Sequence, residues 1–421
     1  MKNLNSIIGL FVLSVFISCN DEDGMHDLSV SRTLIVYMAA DNDLSMDALA
    51  DIEEMKQGFS ETGVHLVVFV DVPDEAPYLL EIGKNKSERI KTYDELNSAD
   101  VETLHKVINE IIALYPAEKY GLILWSHGTS WMPAGTTLRS FGKDSGREMN
   151  IVDLAESLPV KFDFILFDAC LMGSVEVAYE LKDKTDYILA SSTETIYEGF
   201  PYDEIIPELS KPQVDLPQAA QRYFDYYNSL QGAYRSATVS VIDTRELSRL
   251  AGEMNKIVSE NEPDVSFERT SVQRLDVYDE QYTFDLADFI EKAFPDADKS
   301  AFIAQLNRAV LHKNATPEFL SGYEINAYCG LSCYIPHPLR PDLNEYYGTL
   351  SWYIDGGINN LFNKTSAGVI KAAIQEEMRQ LIERGNSNPA TQDGTHVEPL
   401  TTQSGQDTVS EQTTPETLLP P

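Results

Sequence analysis

Cysteine is scarce in this chain: four residues in 421, at positions 19, 170, 329 and 333. So few thiols exclude a disulfide-stapled scaffold, and a 43% hydrophobic composition supplies a packed core in its place. Cys329 and Cys333 lie four residues apart in a strand-like run, on one face but about 13 Å apart. That is too far for a bridge, so they read as buried free thiols. Positive charge is scarce as well, with 32 Lys and Arg against 67 Asp and Glu and a formal net charge of −35. This excludes the basic footprint of a nucleic-acid binder and a polybasic membrane patch, and it suits an extracellular soluble domain. No spacing of His, Cys, Asp and Glu offers the three or four ligands of a metal site, and no EF-hand loop is present. No internal repeat stands out. Long apolar runs are missing too. The longest, residues 7–17, follows a basic Met1-Lys2 and is too short to span a bilayer comfortably, which is the pattern of a signal peptide.

The rest alternates apolar strands with helical patterns. Strands are predicted at 32–40, 64–70, 120–127, 164–167 and 186–191, and helices at 46–57, 99–114 and 151–158. A hairpin is predicted over 73–93. This alternation argues a parallel sheet covered by helices on both faces. Further helices are expected at 216–230, 245–260, 282–293, 301–312 and 346–362, with strands at 237–242 and 330–335. Residues 386–421 hold no Lys or Arg and are rich in Thr, Gln, Ser and Pro, a composition expected to stay disordered.

Two strands end in chemistry. The run Phe162-Asp-Phe-Ile-Leu-Phe-Asp168 stops at Ala169-Cys170, and residues 171–181 carry apolar residues at helical spacing. Ligands of open α/β sheets bind at the carboxyl ends of the strands, and a helix N-terminus there would favour a thiolate. The preceding strand, Tyr120-Gly-Leu-Ile-Leu-Trp-Ser, ends at His127-Gly128. If the two strands are neighbours, a thiol and an imidazole leave the same edge, the minimum for a cysteine nucleophile. Such a nucleophile would use the Cys170 thiolate to attack an electrophilic carbonyl carbon and His127 as the general acid for the leaving group. Backbone N–H groups of Gly128 and Cys170 would receive the oxyanion. No third catalytic member is evident. Asp41 and Asp43 sit at the same edge and read as turn residues, with cleft lining as the other option.

These segments resemble the clostripain family of cysteine peptidases. Leu34-Ile-Val-Tyr-Met with Asp41-Asn-Asp-Leu, Val175-Glu-Val-Ala-Tyr-Glu-Leu, and Ala190-Ser-Ser with Gly199-Phe-Pro-Tyr202 agree in order. The resemblance implies a caspase-like three-layer α/β/α sandwich with a mostly parallel central sheet, and a His127–Cys170 dyad. It implies cleavage after Arg or Lys, bound by Asp168 and by Glu198 or Glu194, with polypeptides as the partners. Asp168 as a cap of the following helix is the competing expectation. The resemblance also implies self-processing between His127 and Cys170, where the polar stretch 128–149 offers Arg139, Lys143 and Arg147. No cofactor is expected; calcium dependence, seen in some relatives, stays open. Val15-Phe-Ile-Ser-Cys19 resembles a bacterial lipoprotein signal, implying lipid on Cys19 and a place in the cell envelope, at the outer membrane or cell surface. The organisation expected is a signal peptide at 1–18, an acidic tether at 19–31 and a peptidase domain at 32–365. That domain divides into a catalytic core, 32–210, and an extension, 211–365. A helix at 366–385 and the tail follow. The rival reading is a surface lipoprotein that keeps the fold for binding alone.

Overall fold

The computed structural model describes residues 30–365, apart from 61–62, 85, 134–139, 265 and 321. Cys19, the signal and most of the tether, Arg139, the 366–385 helix and the tail lie outside the described residues.

β1 (Arg32–Ala39) is buried along its whole length, because both of its faces are covered. α1 (Ser45–Gly58), β2 (Val64–Val72), β3 (Glu75–Gly83) and β4 (Lys86–Thr92) follow, then α2 (Val101–Leu114), capped by the Asp100 carboxylate, and β5 (Lys119–Trp125). A short ribbon, β6 (Phe141–Asp144) and β7 (Arg147–Met149), precedes α3 (Ile151–Ser157) and β8 (Phe162–Asp168). Next come α4 (Val175–Glu180), β9 (Thr185–Ala190), α5 (Tyr202–Leu209), α6 (Leu216–Ser229), β10 (Thr238–Asp243) and α7 (Leu247–Glu260). β11 (Phe284–Asp285), α8 (Leu286–Ala293), α9 (Ser300–Ala309) and β12 (Val310–Ala315) complete the larger elements.

Nine strands form one sheet in the order β12-β10-β9-β8-β5-β1-β2-β3-β4. The five central strands, β9 to β2 in that order, are parallel, while β3, β4 and β10 run against their inner neighbours. Alternation along the parallel strands divides the core in two. Leu34, Val36, Ile123 and Leu166 pack under α1, α5 and α6; Ile35, Tyr37, Leu122 and Ile165 pack under α2, α3, α4 and α7. Each buried Leu or Ile side chain contributes roughly 1.5–3 kcal/mol. The three-layer α/β/α sandwich is therefore as expected.

Several boundaries differ from expectation. The 282–293 helix starts at Leu286, because Phe284–Asp285 pairs with Ser332–Cys333 and Asp285 then caps α8. The 301–312 helix stops at Ala309, and the chain becomes the edge strand β12 against β10. The 346–362 helix is broken into pieces at Gly348 and at Gly356-Gly357, where Gly357 takes a positive φ. Cys329 and Cys333 are buried free thiols, as expected.

Candidate active site

β5 and β8 are adjacent and in register, with Trp125 opposite Asp168. Each chain runs two residues past that pair, so His127 and Cys170 leave the same carboxyl edge of the sheet. The loop carrying His127 is held by hydrogen bonds from the Gly142 N–H to the His127 carbonyl (3.0 Å) and from the Thr129 N–H to the Ser140 carbonyl (2.8 Å). Gly128 permits the close approach of this loop to the nucleophile's: a Cβ there would meet Ala169 Cβ and the Cys170 carbonyl at 3.0 Å. The stretch 128–149 is not simply a mobile loop. Its second half is the β6–β7 ribbon, which holds Lys143 and Arg147.

The turn after β8 also differs from expectation. No helix begins at residue 171. Leu171 takes φ +65°, a conformation costly for a branched-chain residue, and α4 starts only at Val175 under a Ser174 cap. The turn is pinned by the Leu171 N–H on the Thr193 carbonyl (3.0 Å) and the Gly173 N–H on the Ser191 carbonyl (2.6 Å). A six-residue helix begun so late supplies no thiolate stabilisation at Cys170. Burial instead pushes the thiol up to about 11; bonds from Thr195 offset this, and Glu194 and Asp168 push it further up. The sulfur accepts from the Thr195 N–H (3.3 Å) and pairs with the Thr195 hydroxyl (3.3 Å). Thr195 therefore sits across the nucleophile.

His127 is buried, and its Nε2 lies 3.2 Å from Asp43 Oδ1. Lys143 donates to the same oxygen at 2.9 Å. Burial alone would raise Asp43, but Lys143 and His127 outweigh it and hold the carboxyl below its ordinary value. Asn42, not Asp43, makes the Asx turn, accepting from the Leu44 N–H at 2.9 Å. Asp43 instead orients the imidazole, a role that residue type alone did not reveal.

His127, Cys170 and Asp168 line one narrow cleft with Leu44, Trp125, Ser126, Thr195, Ile196, Tyr197 and Gly199. Its free volume is about 20 Å³, room for little more than a water molecule. Asp168 does not cap α4. It is 5% exposed and accepts from the Phe200 N–H (3.1 Å) and the Tyr202 hydroxyl (2.9 Å). Above it stands Gly199, where a Cβ would come within 2.6 Å of Asp168 Oδ2. Glu198 flanks the cleft on the same loop, half-buried, with Oε2 lacking a hydrogen-bond partner. Glu194 points elsewhere: it is buried, accepts from the Val277 N–H (3.0 Å) and faces Asp276 and Arg274. Arg147 pairs with Asp100 on the far side of the ribbon. Asp51 was missed. It is 3% exposed and accepts from the Trp125 indole N–H at 2.7 Å. The available signal was an acid at position 51, on the helical stripe of Ala48, Ile52 and Met55.

A thiol and an imidazole at adjacent ends of parallel strands, on an α/β/α sandwich, define a caspase-like cysteine peptidase. The comparisons agree. Residues 36–332 match the model of the clostripain family, and the chain belongs to that family. Clostripain of Hathewaya histolytica is 30% identical over 224 residues; the match spans 42% of this chain and 42% of that protein. An inactive zymogen protease of Parabacteroides distasonis is 33% identical, with a TM-score of 0.70, 78% of this chain covered and 98% of that one. A secreted cysteine protease of Bacteroides thetaiotaomicron, solved with an irreversible peptide inhibitor, is 31% identical, with a TM-score of 0.69 and coverage of 78% and 99%.

Proposed function

We propose that this chain is an endopeptidase made as a precursor, cutting after Arg or Lys through Cys170 and His127. The observation that carries the reading is the meeting of His127, Cys170 and Asp168 in one cleft. The Cys170 thiol gives its proton to His127 as its sulfur attacks the scissile carbonyl carbon. Backbone N–H groups of Gly128 and Cys170 receive the oxyanion, His127 protonates the departing amine, and water then releases the acyl group. A cationic side chain before the scissile bond would pair with Asp168 beneath Gly199, with Glu198 at the rim. No step invokes a cofactor; a calcium requirement is read by assaying with and without a chelator.

Three features support the precursor state: the raised thiol, Thr195 across the sulfur, and a cleft too small for an Arg side chain. Cleavage between His127 and Cys170 would free the cleft. Of the candidates Arg139, Lys143 and Arg147, Lys143 is tied through Asp43 to His127. A cut there would release that tether. The inactive-zymogen state of the Parabacteroides relative fits the same reading. Lipid on Cys19 would anchor the enzyme to the cell envelope.

Denaturing gels of the full chain and of Cys170→Ala test self-processing. The wild type is expected as two fragments and the variant as one. An active, uncut wild type would contradict it, as would equal cutting of the variant. A peptide-library profile tests specificity, and a profile dominated by Asp or apolar residues before the cut would contradict that part.

A further inference from the structure

Three carboxyls lie beneath the cleft, with no cation among them in the described residues. Asp51 and Glu54 stand one turn apart on α1, and Asp168 ends β8. Trp125 links the first to the third: its indole N–H donates to Asp51 at 2.7 Å, and its backbone is the register partner of Asp168. Tyr202 links the second to the third, since its N–H donates to Glu54 at 3.0 Å and its hydroxyl to Asp168 at 2.9 Å. Among the described residues no Lys or Arg pairs with any of the three. The other titratable groups facing them are Asp47, Asp203, the Cys170 thiol and the phenols of Tyr223, Tyr226 and Tyr227, with His127 across the cleft.

Two buried carboxylates without a counter-ion cannot both stay ionised. We propose that Asp51 and Asp168 hold one proton between them in the empty pocket, and that the Lys or Arg side chain of a substrate expels it to solvent. The inference rests on the basic specificity proposed above and adds Asp51 as a positioning residue acting through Asp168. Burial, and then the Asp168 carboxylate, raise Asp51; Trp125 opposes them only in part. Asp168 accepts from the Phe200 N–H and the Tyr202 hydroxyl, whereas Asp51 accepts from the Trp125 indole alone. More donors favour the charged form, so the proton is placed on Asp51 and Asp168 meets the incoming cation ionised. That cation stabilises a second negative charge, so Asp51 ionises as it binds. Capture is thereby confined to side chains that bring a full positive charge, and the empty pocket avoids a doubly charged, dry interior.

Calorimetry tests this, with the active enzyme and two peptidyl aldehydes that differ only in Arg against its neutral isostere citrulline. Titration in buffers of different ionisation enthalpy counts the protons released. At neutral pH the arginyl aldehyde is expected to release more than the citrullinyl one, and Asp51→Asn, which keeps an acceptor for Trp125, is expected to abolish the excess. In the wild type alone, the ratio of inhibition constants, citrulline over arginine, should rise with pH by up to about tenfold per unit between the two titrations. An arginine preference with no excess release, with an excess that survives Asp51→Asn, or with a pH-independent ratio would overturn the role of Asp51 alone. Equal affinity for the two aldehydes would overturn this role and the basic specificity together.

Discussion

Cys170 is flanked by two pairs of buried acids that share chemistry and differ in completeness. On one side Glu194 meets Asp276. Asp276 is wholly buried and accepts from the N–H groups of Tyr278 (3.0 Å), Tyr282 (2.7 Å) and Thr283 (2.5 Å) and from the Thr283 hydroxyl (3.1 Å). Arg274 stands 3.6 Å away, and the Val277 N–H serves Glu194. Asp276 is closed by the chain's own donors, while Glu194 keeps one oxygen, Oε2, without a hydrogen-bond partner among the described residues; together they staple the 274–283 segment to the loop that carries Thr195. On the other side Asp168 has two donors, no cation among the described residues and a glycine-roofed cleft above it. A buried acid that the fold satisfies is structure; one that the fold leaves short of positive charge awaits it from a ligand.

The comparison can be broken at four points. Cys170→Ala should cost several orders of magnitude in kcat. Its Tm should barely move, since the sulfur lies at a half-buried turn; retained turnover would end the assignment. Asp168→Asn comes next. Leaving one charge of the Arg–carboxylate pair unmatched costs roughly 2–5 kcal/mol, so kcat/KM for Arg substrates should fall tens- to thousandfold while Leu substrates change little. An unchanged Arg preference would remove Asp168 from the pocket's chemistry. Glu194→Gln should leave specificity alone and change stability with pH. Burial and Asp276 raise Glu194 to about 8, so its carboxyl is protonated in the fold at neutral pH. A raised carboxyl stabilises fully below the unfolded value near 4.5, and that contribution is lost as pH rises through about 8. The variant's Tm should therefore decline less than the wild type's across that window, and parallel curves would contradict the shift. Asp43→Asn is expected to be mildest, lowering kcat about three- to tenfold with KM unchanged, as for an oriented, half-exposed hydrogen bond.

Much of this was legible in the sequence because the central strands are apolar runs bounded by turn residues, and periodicity reads such runs well. His127 and Cys170 were visible as strand ends. Asp43 was not, since its role depends on which neighbour lies across the sheet edge; Asp51 was marked only as an acid on an apolar helical stripe, a spacing that does not name its partner. Glu194 was misplaced because residues 194 and 198 share one loop but face opposite sides of it. The left-handed Leu171 hid the true start of α4, since an apolar stripe over 171–181 cannot show that its first turn is unwound. The expected helix ran on into the first half of edge strand β12, residues 310–312, because an exposed edge carries no alternating apolar pattern to betray it.

Cys170, served by His127, is expected to attack substrates whose basic side chain sits on Asp168. Covalent labelling followed by intact-protein and peptide mass spectrometry tests it most directly. The probes are two peptidyl chloromethylketones differing only in Arg or Leu beside the reactive group. The predicted result is one adduct per chain, mapped to Cys170, formed much faster with Arg and lost in His127→Ala. Labelling at Cys329 or Cys333, or equal rates for Arg and Leu with the native enzyme, would contradict the account.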